Sequence, residues 1–189
     1  MKKFLLCVCA LMSVGFASNL WYANGFGGLN YYNHQDSKEV CLFERGFLSG
    51  LSIGRKCLGL LQVEGEFTHR ENPVTLMIDY ARQGTRIQNN VMANALFEPL
   101  AGLLISPYLG VGAGGLFQDT TFKTPVSKSV LTREAPFLSA SNSFSIQEMV
   151  GLRLNLGSRA AVGAELRQTQ ATKWTNANQS AFLSGLLKF

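Results

Sequence analysis

Apolar and polar residues alternate along most of the chain, and the clearest example runs from Cys57 to Arg70. A helix would distribute the charged residues of this segment around its surface, whereas a strand places them on one face. The segment therefore predicts a β-strand with one apolar face and one charged face. The polar face carries Gln62, Glu64, Glu66, Thr68 and Arg70.

The same period-two pattern recurs in seven further segments of about ten residues, separated by polar or Gly/Pro-rich breaks. The second segment fits worst, because Glu44 and Arg45 fall on opposite faces, and this predicts a rim position or a β-bulge there. The eight predicted strands are residues 21–32, 40–53, 57–70, 86–97, 108–118, 147–156, 162–169 and 180–189.

The predicted links alternate in length, as they do in transmembrane β-barrels. Links 54–56 and 157–159 are tight and link 98–106 is modest, whereas residues 33–39, 71–85, 119–142 and 172–179 form longer polar links. Trp21 and Tyr31 are ten residues apart, which spans roughly 25 Å along a membrane normal at a strand tilt of about 40°. Alternation alone also fits a soluble β-sandwich or lipocalin-like barrel, because it does not say which face is wet.

The N-terminus predicts export. Lys2 and Lys3 precede a short apolar stretch at residues 4–12, and Gly15-Phe16-Ala17 supplies small residues before a cut after Ala17. A buried N-terminal helix is the alternative interpretation. Cleavage leaves residues 18–189 as a single barrel domain. Export, the loop asymmetry and the final aromatic residue together favour an outer-membrane barrel over a soluble sandwich.

Composition narrows the classes further. The 189 residues include 19 glycines and only 15% charged residues, which is too glycine-rich for a helical bundle and low in charge for a soluble domain. The net charge of +5 is spread without a dense Lys/Arg block, so nucleic acid is not a predicted partner.

Three segments carry a family resemblance: residues 107–114, the strand-turn-strand at 150–166, and the closing residues 183–189. The chain resembles the small eight-stranded outer-membrane barrels, which are OmpA-like, OmpX-like or opacity-protein-like. The resemblance implies an antiparallel up-and-down barrel surrounded by outer-membrane lipid and lipopolysaccharide. Leu183, Leu187 and Phe189 are similar to the signal by which the barrel assembly machinery recognises its clients.

If the polar faces line the lumen, six charged residues point inward. An eight-stranded barrel is only just wide enough for its interior side chains, so these charges must pair and hydrogen-bond. Glu64 with Arg167, and Glu165 with Arg153, are plausible pairs. We predict a network that closes the barrel, with a gated ion path as the alternative. Its members are Glu64, Glu66, Arg86, Arg153, Glu165 and Arg167.

The sequence predicts no catalytic, cofactor or metal site. Some eight-stranded barrels modify lipid A, using His, Asp and Ser near the outer rim or a His-x-Ser pair on the penultimate strand. His34-x-Asp36-Ser37 in the first loop is the nearest match to the former, but Gln168-Thr169-Gln170 stands where the latter would lie. This departure removes the general base. A lipid A-modifying enzyme therefore remains a third hypothesis.

The predicted function is non-enzymatic: support of the membrane, or contact with a host or surface ligand through the loops. The link 119–142 carries basic and aromatic residues that suit an anionic partner, although a merely solvated loop is an equal alternative. These residues are Phe122, Lys123, Lys128, Arg133 and Phe137.

Two cysteines, Cys41 and Cys57, remain after removal of the signal peptide. They are expected near opposite ends of neighbouring strands, roughly 40 Å apart. A disulfide needs Cα atoms within about 7 Å. We therefore predict two unpaired thiols.

Overall fold

The computed structural model describes residues 21–33, 41–57, 59–78, 80–123, 141–172 and 177–189. The predicted signal peptide lies outside these residues. Within them the chain forms nine strand segments: β1 (Trp21–Asn33), β2 (Cys41–Phe43), β3 (Gly46–Cys57), β4 (Leu61–Ile78), β5 (Tyr80–Phe97), β6 (Ile105–Phe122), β7 (Ser141–Asn155), β8 (Ala160–Ala171) and β9 (Ala177–Lys188).

The strands form one closed antiparallel sheet. β1 pairs with β3 and β9, both β2 and β3 pair with β4, and from β4 to β9 each strand pairs with the next. Segments β2 and β3 are thus two parts of one strand. The predicted eight-stranded up-and-down barrel is confirmed. The end of the barrel where β1 begins and β9 ends is called here the base. There the Phe189 amide donates to the Trp21 carbonyl at 3.0 Å.

The register fixes the shape of the barrel. A path of directly paired residues that starts at Ala23 returns to β1 at Asn33, ten residues further along. A stagger of ten residues over eight strands corresponds to a strand tilt of about 40°. Each residue along a strand then rises roughly 2.5 Å along the barrel axis. The path runs through Ala23, Ile53, Gly65, Ala93, Ala113, Ile146, Gln170, Ala177 and Asn33.

The apolar faces point outward, as predicted. Val111 and Leu183 keep 62% and 71% of their surface exposed, whereas the polar residues of the alternate positions are buried inside. Exposed aromatic residues mark both edges of this apolar belt, about 25 Å apart, which matches the height of an outer-membrane belt. The lower edge holds Trp21, Phe97 and Phe189, and the upper edge Tyr31, Phe47, Phe117 and Phe144.

Within the described ranges, no helix is long and apolar enough to cross a membrane.

A β-bulge lies where the second predicted strand fits its pattern worst. Phe43 pairs with Val74 and Phe47 pairs with Glu71, so three residues of one strand lie opposite two of the other. The extra residue reverses the alternation. As a result Phe43 meets the interior Arg86 guanidinium at 5.5 Å, although odd-numbered residues of β3 such as Phe47 face outward.

Several predicted links are wrong in their extent, and residues 177–179 of link 172–179, for example, belong to β9. Residues 71–78 and 80–85 are paired strand rather than loop, because β4 and β5 stay in register up to the Ile78–Tyr80 pair. Residues 119–122 likewise extend β6 alongside β5. The part of β4 and β5 above the belt, residues 69–78 and 80–89, is called here the projecting hairpin. It extends eleven residues beyond Phe67, about 27 Å along the barrel axis.

The base turns are short, but one is displaced from its predicted place. β3 continues through Cys57 and β4 starts at Leu61, so the predicted turn at 54–56 lies instead between these two residues. Cys57 is a free thiol. Cys57 pairs with Leu61 of β4 and Cys41 with Leu76. The two cysteines are therefore separated by fifteen positions along that strand, roughly 50 Å.

Candidate functional site

The interior at mid-height is organised around the Arg167 guanidinium. Its Nη1 donates to Glu66 Oε1, and its Nη2 lies 2.8 Å from Glu165 Oε1. The stacked rings of Phe26 and Phe182 lie beneath it at 5.4 and 4.8 Å. All three ionised side chains are nearly completely buried. A buried cation of this kind is stable only with such a full set of partners.

Glu64 and Glu165 belong to matching rows of side chains on opposite walls of the barrel. In one row Tyr22 reaches across Gly54 and donates to Glu64 Oε2 at 3.0 Å. In the other row Tyr108 reaches across its partner glycine on β7 and donates to Glu165 Oε2 at 2.6 Å. Each row thus spans three neighbouring strands as tyrosine, glycine and glutamate.

The central position of each row requires glycine for reasons of space. A Cβ added at Gly54 or Gly151 would lie 2.4 Å from the terminal ring carbon of the tyrosine that crosses it. Real Cβ atoms essentially never approach another heavy atom so closely. Glycine therefore lets each tyrosine reach a carboxylate two strands away.

Glu64 is held by uncharged donors. Ser52 Oγ lies 3.2 Å from Oε2, and Asn94 Nδ2 donates to Oε1 at 3.0 Å and to Glu66 Oε2 at 2.9 Å. Gln147 in turn donates to Asn94 Oδ1 at 2.6 Å. The asparagine thus joins the two carboxylates into one network, since charge-assisted hydrogen bonds satisfy their lone pairs.

A second cluster closes the base around Glu98. Arg153 Nη1 donates to Glu98 Oε2 at 2.8 Å, Gln62 Nε2 also donates to this oxygen, and Lys56 Nζ lies 3.8 Å away. The Arg153 guanidinium lies 4.8 Å from the centre of the Tyr108 ring. The base cluster therefore abuts one of the tyrosine rows.

The upper interior holds arginines among amides and hydroxyls. Arg70 Nη2 donates to Thr169 Oγ1 at 3.0 Å, and Arg86 Nη2 donates to Gln118 Oε1 at 2.5 Å. Within the described part of the chain, no carboxylate forms an ion pair with Arg70. Both guanidinium groups are almost fully buried. The described interior thus changes from arginine–glutamate ion pairs below to arginines bound by amide and hydroxyl oxygens above.

Several of these bonds cross the full width of the lumen. Strands β4 and β8 lie four positions apart in the eight-stranded barrel, and Glu66–Arg167 and Arg70–Thr169 both join them. Asn178 of β9 donates to Gln88 of β5 at 2.9 Å, which is a similar crossing nearer the top. Side chains therefore tie opposite walls together at three heights.

The structure buries all six charged residues predicted for the interior: Glu64, Glu66, Arg86, Arg153, Glu165 and Arg167. Their pairing differs from expectation, because Arg167 binds Glu66 and Glu165, whereas Arg153 binds Glu98. Neither the predicted Glu64–Arg167 pair nor the Glu165–Arg153 pair forms. The sequence predicts Glu98 in a link and does not place Arg70 in the network. The even-numbered alternation that includes both residues was the signal for them.

The remaining predicted positions lie elsewhere. His34, Asp36 and Ser37 lie outside the described residues, as do Lys128, Arg133 and Phe137. Leu183, Leu187 and Phe189 of the closing segment are exposed on the lipid-facing side. Thr169 of the Gln168-Thr169-Gln170 segment faces inward, where its hydroxyl binds Arg70.

A polar group lies on the outer side of the projecting hairpin. His69 Nε2 lies 3.0 Å from Glu71 Oε1, and His69 Nδ1 lies 2.7 Å from Asn89 Oδ1. These hydrogen bonds, chiefly that to the Glu71 carboxylate, raise the pKa of His69 above its ordinary value. Glu71 pairs with Phe47 of the upper aromatic edge, so the group lies at the upper edge of the apolar belt.

Comparisons with known proteins identify the fold. No protein-family model matches the chain, and no curated protein matches it in sequence. Neisserial surface protein A superposes with a TM-score of 0.58 at 11% identity, over 91% of this chain and 98% of that one. The N-terminal β-barrel domain of Pseudomonas aeruginosa OprF gives 0.54 at 14% identity, over 91% and 98%.

Ail, the attachment invasion locus protein of Yersinia pestis, was solved in complex with the heparin analogue sucrose octasulfate. It gives a TM-score of 0.53 at 14% identity, over 91% of this chain and 99% of that one. At these identities the similarity concerns the fold, and it agrees with the closed sheet and the outward apolar belt. The chain therefore has the fold of the small eight-stranded outer-membrane β-barrels.

Proposed function

We propose that the chain is a non-enzymatic outer-membrane barrel with a closed lumen, and that it acts through membrane support and surface contact. The observation that supports the closed lumen is the set of bonds across it. The most important are the ion pairs of Arg167 with Glu66 and Glu165, called here the central tie. An open pore would require these buried charges to part, and leaving a buried charge unpaired is costly.

Conductance in planar bilayers tests the closed lumen. The native protein is expected to give no sustained current. The double variant Glu66→Ala/Arg167→Ala removes the central tie at constant net charge and is expected to conduct. A matched variant, Glu71→Ala/Arg159→Ala, changes exposed residues and should behave as the native protein does. A sustained open current through the native protein would contradict the closed lumen.

A narrow ion path is the second candidate, because polar side chains line the interior from the base to the top. Lys188 Nζ binds Asn155 at 2.8 Å near the base, and Arg70 lies near the top. This alternative predicts a measurable native conductance whose ion selectivity shifts when Glu98→Gln removes the carboxylate of the base cluster. An unchanged selectivity would speak against this path.

Surface contact is proposed for the loops at the top of the barrel. The projecting hairpin carries the chain well beyond the belt, and Lys123 at the end of β6 is exposed. Ail, which shares the fold, was solved with a sulfated heparin analogue, and the basic residues of link 119–142 suit a similar polyanion. The occupant proposed is therefore an anionic surface ligand.

Binding of the reconstituted protein to immobilised heparin tests this contact. The triple variant Lys123→Ala/Lys128→Ala/Arg133→Ala is expected to lose most of the salt-sensitive binding, since screened charge attraction provides it. Arg159→Ala at the base is the control and should bind as the native protein does. Equal binding by the triple variant would leave the top loops without this role.

Export and assembly complete the proposal. Cleavage after Ala17 is expected, and N-terminal sequencing of the membrane-bound protein checks it. We propose that the barrel assembly machinery reads Leu183, Leu187 and Phe189, and that lipopolysaccharide surrounds the upper belt. Phe189→Ala should lower the yield of folded barrel in cells, measured by heat-modifiable gel mobility, whereas Phe97→Ala, also an aromatic residue near the base, should not.

The absence of enzymatic activity is likewise a proposal. Lipid A should have the same mass spectrum with and without expression of the chain. An added or missing acyl chain that depends on His34 would overturn it and favour the lipid A-modifying alternative.

A further inference from the structure

One carboxylate lies on the outer, lipid-facing side of the barrel wall. Glu148 of β7 faces outward, in a run of exposed apolar residues that continues on both sides of it. Phe144 at the upper edge of the belt is four residues away, about 10 Å along the barrel axis, and Leu154 near the lower edge is six residues away, about 15 Å. Glu148 therefore lies well inside the apolar belt.

The neighbouring strands extend this polar spot. Gln168 of β8 lies directly opposite Glu148, and Gln179 of β9 lies directly opposite Gln168. Both glutamines are exposed on the outer face. Glu148, Gln168 and Gln179 are called here the lipid-facing polar patch. The opposite wall shows no such break below the hairpin: β4 carries Leu61, Val63, Gly65 and Phe67 at its outward positions.

The patch lacks partners within its own chain. No donor among the described residues forms a hydrogen bond with the Glu148 carboxylate. A polar group in the hydrocarbon region is costly unless it is satisfied, and a glutamate side chain is too short to reach a boundary about 10 Å away. Lipid tails offer no donors at this depth, so the complementary group must come from protein.

We propose that a second copy of this chain covers the lipid-facing polar patch, forming a two-fold dimer within the membrane. The patch is complementary to itself, since Glu148 offers acceptor oxygens and the two glutamines offer amide donors. In a two-fold contact, Glu148 of each copy can accept from Gln168 or Gln179 of the other, so that each bond occurs twice.

The surrounding surface suits such a contact. The patch borders a shallow cleft of about 620 Å³ that includes Leu109, Val150, Leu166 and Ala181. Small outward side chains such as Ala181 let two walls approach closely, which is how protein surfaces associate in membranes without a hydrophobic driving force. The closed lumen does not depend on this contact, so the dimer can fail without affecting the proposed function.

Energy transfer between labelled copies in vesicles tests the dimer. Mature protein with Cys41→Ser, Cys57→Ser and Gln83→Cys carries the dye on the exposed projecting hairpin. Mixed donor and acceptor copies are diluted progressively in phospholipid. The native patch is expected to give a saturable association, and Glu148→Leu to weaken it roughly tenfold or more. Glu71→Leu, the same change at an exposed carboxylate at the upper edge of the belt, should leave association unchanged.

Disulfide trapping supplies a second readout at known places. In the same cysteine-free background, Leu166→Cys beside the patch should form a covalent dimer on oxidation. Phe67→Cys on the opposite wall, where β4 lies four strands from β8, should not. Heat-modifiable gel mobility confirms that each variant is folded.

Three results would overturn the dimer. These are a protein that is monomeric at every dilution, association that survives Glu148→Leu, and trapping at position 67 as efficient as at position 166. A monomer in vesicles both with and without lipopolysaccharide would show that lipid or bound water covers the patch instead.

Discussion

The lumen and the lipid-facing wall treat the same side chain in opposite ways. Glu66 in the lumen binds Arg167, Thr68 and Asn94 and is buried, whereas Glu148 on the outer wall has no such partners among the described residues. The lumen excludes lipid but provides donors, and the outer wall of the isolated barrel provides neither water nor donors once it lies in a bilayer. A carboxylate inside is therefore part of the structure, while one outside requires a partner.

The largest expected effect breaks the lumen side of this comparison. Arg167→Leu leaves Glu66 and Glu165 without their shared cation, and removal of one member of a buried ion-pair group costs about 3–5 kcal/mol. The free energy of unfolding by urea from vesicles measures the loss. Arg159→Leu at an exposed base turn should change it by no more than about 0.5 kcal/mol. Equal effects of the two variants would show that the central tie contributes nothing.

The next effect tests whether the tyrosine rows depend on space. Gly151→Ala forces the Tyr108 ring away from its place, and overpacking of this kind costs roughly 1–3 kcal/mol. Gly65→Ala is the control, because nothing lies within 4 Å of a Cβ added at that outward glycine. The same unfolding measurement separates them, and a loss at Gly65 as large as at Gly151 would refute the steric explanation.

A third prediction compares the same substitution on the two sides of the wall, where it should change the free energy of unfolding in opposite directions. Glu148→Leu is expected to raise the free energy of unfolding of the monomer, because it removes a carboxylate from the hydrocarbon region. The gain should be smaller than the roughly 2–4 kcal/mol that a cation costs at the midplane. Glu66→Leu should instead lower stability. The measurement is made at high lipid dilution, and a loss for both variants would show that the outer carboxylate is already satisfied.

The smallest effect concerns the polar group of His69 and Glu71 at the upper edge of the belt. Its partners raise the pKa of His69 above its ordinary value of about 6.5, so its contribution is present below about pH 6.5 and is lost as pH rises through the raised pKa. Both side chains are at least a third exposed, so screening limits the contribution to about a few tenths of a kcal/mol. Glu71→Gln should lower the His69 pKa in an NMR titration, and an unchanged pKa would exclude the carboxylate as its cause.

The alternation of apolar and polar residues predicts most of the fold, because within the membrane one face of each strand meets lipid and the other does not. That contrast explains why the inward positions of Glu64, Glu165 and Arg153 could be inferred from the sequence. It disappears above the belt, where the outward side chains meet water instead of lipid and need not be apolar, while inward residues such as Val74 stay buried. Residues 71–85 therefore look like a loop in the sequence, although 71–78 and 80–85 are paired strand.

The ion pairs themselves could not be predicted from the pattern. Which carboxylate meets Arg167 depends on the register summed across four strands, and no local spacing records that sum. Glu98 follows the alternation of β5, but the proline after it suggested a link. Glu148 follows the outward alternation of β7, yet period two alone cannot distinguish a lipid-facing charge from an irregularity in the pattern.

The ten-residue stagger of the closed sheet has one more consequence. Because the path around the wall must return to β1, the register of the last strand pair to form depends on the registers of all the other pairs. A slip of one residue between any two strands would leave an odd remainder at the seam, and inward and outward residues would then meet face to face. The β1–β9 pairing can thus prevent closure of a barrel in which another pair of strands has formed in a register shifted by one residue.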